Sequence, residues 1–140
     1  MVSICLAFAW IWFVLGVVSG AGLGLGFHRP GFAGGYGSWR RRLMRLGHIA
    51  FFGTGFLVLA LGLTAAALPP DHLPPRVFRG LGWLMIAGAV LMPTVCFLAS
   101  WRKNFRWLFA LPVAALGGAV VGFTRLLLRS GVIELLGKAG

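Results

Sequence analysis

Long apolar stretches alternate with short polar breaks along this chain, and the alternation occurs four times. The apolar runs cover about residues 3–27, 46–68, 80–100 and 108–128. Each supplies close to the roughly 20 helical residues that cross a hydrocarbon core about 30 Å thick. The breaks hold the helix-stopping residues. Pro30 and the glycines of 31–37 end the first run. Ser38 follows as an N-cap for a helix that opens on the basic interfacial turn Trp39-Arg40-Arg41-Arg42-Leu43-Met44-Arg45. The proline-bracketed stretch from Pro69 to Pro75 predicts a stiff turn, because proline cannot continue a helix. A short basic link from Trp101 to Trp107 joins the third run to the fourth. The predicted fold is therefore all-α: one domain, residues 1–140, forming an integral membrane bundle of four transmembrane helices.

Composition changes the solvent, not the fold class. Hydrophobic residues make up 59% of the 140 and mean hydropathy is +0.93, well above the soluble range. The first run lacks a basic segment before it and is longer than a signal-peptide core, so it reads as a retained span. The formal net charge of +11 would point to nucleic acid in a soluble protein. Here the cations stand at span ends, so the expected partners are membrane lipids, chiefly anionic headgroups, and no nucleic acid. Loop one and the start of span two hold Arg29, Arg40, Arg41, Arg42 and Arg45, and loop three adds Arg102, Lys103 and Arg106. Those eight exceed the five on the other side: Arg76, Arg79, Arg125, Arg129 and Lys138. The charge bias predicts loops one and three in the cytoplasm and both termini outside, in a bacterial cytoplasmic membrane. Trp39, Trp83, Trp101 and Trp107 fall near span ends, where amphipathic rings prefer the headgroup layer; Trp10 and Trp12 lie deeper and are expected to face lipid or a partner.

Lipid tails are as apolar as leucine, so membrane helices associate by close packing at small residues. The expected packing positions are Gly16, Gly20 and Gly24 in span one, with Gly22 and Gly26 beside them. Gly55 and Gly62 follow in span two with Ala66, and Gly118 and Gly122 in span four with Ala114. Whether these seams close within the chain or against another protein is open at this level. Cys5 and Cys96 fall in opposite leaflets and read as small apolar packers. Pro93 and Pro112 predict kinks that neighbouring helices tolerate.

Few polar residues offer chemistry. His28 closes span one and His48 lies just inside span two, at what the hairpin suggests is a similar depth. His48 shares a stripe with Gly55, Gly62 and Ala66; Ala21 and Gly24 share one with His28. Two inward histidines at one level would suit axial ligation of haem b or a chlorophyll-type pigment, or contact with a quinone. The plainer alternative is that each histidine bonds a carbonyl or headgroup. His72 reads as an exposed turn residue. Arg125 is expected to snorkel to the surface or pair with Asp71. No span contains Asp or Glu, and no metal, nucleophile or phosphate-loop motif is present.

The stretch from Arg45 through Leu57, RLGHIAFFGTGFL, resembles the second span of small, uncharacterised bacterial four-helix membrane proteins, a resemblance that implies no assigned activity. The spacing of His48, Gly55 and Ala60-Leu61-Gly62-Leu63 is similar to that of hydroxylaminobenzene mutase-type proteins, without the polar residues that follow the histidine there. The leading expectation is a non-catalytic accessory or structural subunit, or assembly factor, of a larger membrane complex of respiratory or photosynthetic electron transfer, with a docking segment at 132–136. Its partners would be other integral membrane subunits. The alternatives are a small haem b- or quinone-binding redox protein using His28 and His48, and a small transporter.

Overall fold

The computed structural model describes residues 1–69 and 72–129. Four helices long and apolar enough to cross a membrane fill it: α1 (Val2–Phe27), α2 (Trp39–Ala67), α3 (Pro75–Trp101) and α4 (Ala110–Arg129). A 3-10 turn, Lys103–Phe109, runs directly into α4. At about 1.5 Å per residue, the 26 residues of α1 reach about 39 Å, enough for the hydrocarbon core and part of the headgroup layer.

Two boundaries differ from the expected ones. The third helix begins at Pro75, inside the stretch read as a turn. Proline is at home in the first helical turn, where its missing N–H has no partner to lose and its φ is already set. The short basic link between the third and fourth spans is itself a 3-10 turn from Lys103 onward, so the fourth α-helix begins at Ala110. The first loop follows its expectation closely. The Ser38 hydroxyl accepts from Arg41 N at 3.1 Å and donates to the Ala33 carbonyl at 2.6 Å. The turn it holds needs left-handed backbone at Ala33 (φ 54°), Gly34 (φ 85°) and Gly35 (φ 84°). Glycine adopts that conformation without strain, and the alanine is held there by the Ser38 bond.

The helices pack in sequence order, α1 on α2, α2 on α3 and α3 on α4. The result is an open row rather than a ring. α2 and α4 flank a shallow cleft of about 210 Å³ whose floor is Met85 of α3. The core joins all four elements through Cys5, Val58, Leu61, Phe78, Met85, Ala89, Leu116, Ala119 and Phe123. α3 stays one helix through Pro93, which is fully buried, as is Pro112 in α4. Cys5 lies beside Gly62 and Cys96 beside Gly47, positions 15 residues apart on α2 and so about 22 Å apart along it. Both thiols are free and serve as small packers.

Alternate hairpins bring loops one and three to the same end. Trp39 Nε1 donates to the Ala99 carbonyl at 3.1 Å, and the Arg40 guanidinium lies 5.5 Å from the Trp101 ring centroid. The eight cations counted for these loops therefore gather at one end of the row.

Candidate functional site

Two regions carry nearly all the polar chemistry: the α1–α2 seam and the basic end. Along the seam, residue i of α1 meets residue 67 or 68 minus i of α2. Cys5 and Leu6 meet Gly62, Phe13 meets Gly55, Phe51 and Phe52 meet Gly16, and His48 meets Gly20. On α1 the inward positions are spaced by three and four, the period of a left-handed helix pair. Three polar ties sit at about two-turn intervals along the same line. Trp12 Nε1 donates to Thr54 Oγ1 at 3.1 Å, and that hydroxyl donates onward to the Ala50 carbonyl at 2.6 Å. Ser19 Oγ lies 3.1 Å from His48 Nδ1 and bonds the Gly16 carbonyl at 2.9 Å. Arg41 Nη2 donates to the Phe27 carbonyl at 3.0 Å.

Trp12 therefore faces the helix pair rather than lipid. It is 8% exposed and packs on Phe8 and Phe51, each with ring centroids 4.9 Å away. Trp10, two residues earlier, points outward as expected and is 64% exposed. An indole N–H in hydrocarbon needs an acceptor, and Thr54 supplies one only on the inner face.

The expected histidine pair is not brought together. His48 lies at the level of Ser19 and Gly20, whereas His28 is exposed at the C-terminal end of α1. Eight residues of helix, about 12 Å, separate those two levels. The reason is the length of the first loop: residues 28–38 fold back so that Phe27 meets Arg41, leaving His48 two turns deeper. His48 Nδ1 is engaged by Ser19 and Nε2 rests against Gly20, with Phe52 edge-on at 5.5 Å. These residues do not fit a bis-histidine haem or pigment site. Among the described residues, no group of three or more His, Cys, Asp or Glu side chains is placed to hold a metal. His72 is half-buried rather than exposed, its N–H donating to the Pro69 carbonyl at 3.1 Å.

The glycines divide sharply. A methyl built on Gly16 falls 2.9 Å from the Phe52 ring, on Gly20 2.5 Å from His48, on Gly55 2.6 Å from Phe13 and on Gly62 3.1 Å from Cys5 Cβ. These four close seams inside the chain. Gly24 does not: it is exposed with nothing within 4 Å, as is Gly22, and Ala21 and His28 are exposed with them. The Ala21–Gly24–His28 stripe thus faces away from the row. On α2, Ala66 is likewise exposed. On α4 the buried stripe is Pro112, Leu116, Ala119 and Phe123; Ala114 and Gly118 are exposed, and only Gly122 is tight, 2.6 Å from Leu81 Cδ2. Sequence spacing missed Gly47 against Cys96 and Phe97, Gly82 against Met1, and Gly88, whose added methyl would lie 3.0 Å from the Leu116 backbone nitrogen.

At the basic end, Trp39, Arg40, Arg42, Arg102, Lys103 and Arg106 are exposed and Arg45 is half-buried, positions suited to headgroups. Arg41 is the exception at 7% exposed. Its guanidinium stacks 4.2 Å from the Phe27 centroid and lies 5.5 Å from Tyr36, which Arg45 covers from 4.8 Å. α1 has no basic residue in its last turn, so Arg41 supplies the cation that the helix C-terminus favours. The described residues include no Asp or Glu; Asp71, Glu134, Lys138 and the segment 132–136 lie outside them. Arg41 Nε is buried without a hydrogen-bond partner, so the carbonyl, the rings and the helix end carry the charge. Arg125 on α4 is exposed, as snorkelling requires.

Comparison with known proteins finds no matching family model, no matching curated protein and no matching solved structure.

Proposed function

We propose that this protein is a non-catalytic, membrane-embedded subunit that docks a helix of another integral membrane protein against the outer face of α1. One observation carries the reading: on a single helix, Gly16, Gly20 and Gly26 are each covered by a ring of this chain, while Gly22 and Gly24 stand open beside Ala21. Small residues permit close backbone approach. An open row also leaves α1 with one unpacked face along its whole length, from Trp10 and Val14 to Val18 and Leu25, each more than half exposed. Charge argues for a different protein rather than a second copy. Two copies side by side would align eight cations with eight more, and this chain has only two acidic residues to set against them.

The alternative of a haem b- or quinone-binding redox protein rested on paired histidines, and the separation of His28 from His48 removes that support. A transporter requires a polar path, and the buried polar side chains Arg41, Thr54 and Ser100 are spent on local bonds. The charge bias favours loops one and three on the cytoplasmic side.

A photo-crosslinking side chain at position 18 or 25 tests the docking face in native membranes. The expected result is one discrete protein adduct from these positions and none from 113 or 121 on α4, with the adduct identified by mass spectrometry. Adducts of equal yield from both helices, no adduct, or an adduct with a second copy of this chain would overturn the reading.

A further inference from the structure

A second surface points to a different ligand. α3 ends at Trp101, and Arg102 turns the chain with extended backbone (φ −136°, ψ 120°). The 3-10 turn that follows swings Phe105 back beside the last turn of α3. Phe97, Leu98, Trp101, Arg102 and Phe105 then line an open cleft of about 360 Å³. Its wall is aromatic and aliphatic except for Arg102. On α2, Arg40 lies over Trp101, and the neighbouring Trp39–Ala99 bond fixes α2 against α3 at that level. The cleft is thus an apolar slot with Arg102 in its wall and the Arg40 guanidinium 5.5 Å from the indole that lines it, at the end where eight cations gather.

We infer that this cleft holds one anionic phospholipid, its phosphate on Arg102 with Arg40 over the adjoining Trp101 as the second cation, and the head of an acyl chain along Phe97, Leu98 and Phe105. Three considerations select that occupant. Guanidinium is planar and binds phosphate oxygens two at a time. Arg40 and Arg102 are both exposed, and no described residue carries a carboxylate to pair with either, so the end of the cleft suits an anion. The apolar wall wants hydrocarbon, which free phosphate does not bring and a phospholipid does. A volume of about 360 Å³ lies at the small end of ligand pockets, right for part of one chain rather than a whole molecule. Basic recesses between membrane helices recognise anionic headgroups in this way. The inference is independent of the docking face on α1.

The test uses delipidated full-length protein in non-ionic detergent, titrated with phosphatidylglycerol and with phosphatidylcholine of the same chains, and read by native mass spectrometry. One phosphatidylglycerol should be retained at least tenfold more tightly than phosphatidylcholine. The R40Q/R102Q variant should lose that preference, while R76Q/R79Q at the opposite end keeps it; circular dichroism checks that both remain helical. L98W, which fills the slot, should weaken binding of the anionic lipid with both arginines intact. Equal retention of the two lipids, equal loss from either charge pair, or full displacement by millimolar inorganic phosphate would overturn the inference. A misfolded R40Q/R102Q is replaced by R102Q alone, for which loss of preference is again the required result.

Discussion

The two faces of α1 are built from the same few residue types and do opposite things. The inner face places Cys5, Ala9, Trp12, Gly16, Ser19 and Gly20 against α2, and every glycine there is met by a ring. The outer face places Trp10, Val14, Val18, Ala21, Gly24 and Leu25 in the open. Hydrophobicity does not separate them, since both faces are apolar. What separates them is the partner: Phe52, His48 and Thr54 on α2 fill, bond and fix the inner face. In a membrane, then, burial is decided by shape and hydrogen bonding rather than by polarity.

The sharpest break of this comparison is a bulky side chain on either face. Leucine at Gly20 must displace the His48 ring, and leucine at Gly16 the Phe52 ring. Overpacking of this kind costs about 1–3 kcal/mol and more when the backbone must move. Thermal unfolding in mild detergent should show Gly16→Leu and Gly20→Leu losing about 3 kcal/mol, with Gly24→Leu within about 0.5 kcal/mol of the parent. Equal losses at Gly20 and Gly24 would erase the distinction between the faces.

A smaller effect is expected from the polar tie that picks Trp12 over Trp10. Thr54→Val keeps the shape but removes the acceptor for the indole N–H. Interhelical hydrogen bonds in membranes contribute about 0.6 kcal/mol on average and rarely above about 1.7 kcal/mol. A double-mutant cycle of Thr54→Val with Trp12→Phe should return a coupling of about 1 kcal/mol, and Trp10→Phe paired with Thr54→Val should return none. Ser19→Ala crossed with His48→Phe should couple more weakly, at about 0.5 kcal/mol, because that pair is only part-buried.

How much of this was readable from the sequence follows the same physics. Four apolar runs of bilayer length identify the helices, since a spanning helix must satisfy its own backbone. Ser38 was legible as a cap because its role is local. Gly20, Gly55 and Gly62 were found by spacing, but so was Gly24, which faces out; small-residue periodicity locates a surface without naming its partner. The histidines misled for a geometric reason. Depth in a hairpin depends on how many residues the loop uses to turn, and residues 28–38 fold back onto Ser38 and Arg41 in a way that composition does not reveal. Arg41 itself resembled its neighbours Arg40 and Arg42 in sequence. Only the register of α2 against Phe27 turns it inward.

The mildest substitution separates the two roles of the outer face by sign. Gly24→Ala adds one methyl into open space on a helix, and glycine inside a helix is less stable than alanine by roughly 0.5–1 kcal/mol. The isolated chain should therefore gain up to about 0.5 kcal/mol in detergent. If a partner helix approaches closely at Gly24, the same methyl must part the two backbones, and a co-purified complex should dissociate at lower detergent concentration than the parent. Gly53→Ala on α2, also open within the chain, supplies the control. It should stabilise by a similar amount and leave the complex intact. A gain in both settings for Gly24→Ala would mean that nothing docks there and that the glycine only loosens the helix. A gain in the free chain with a loss in the complex would place the partner on this face.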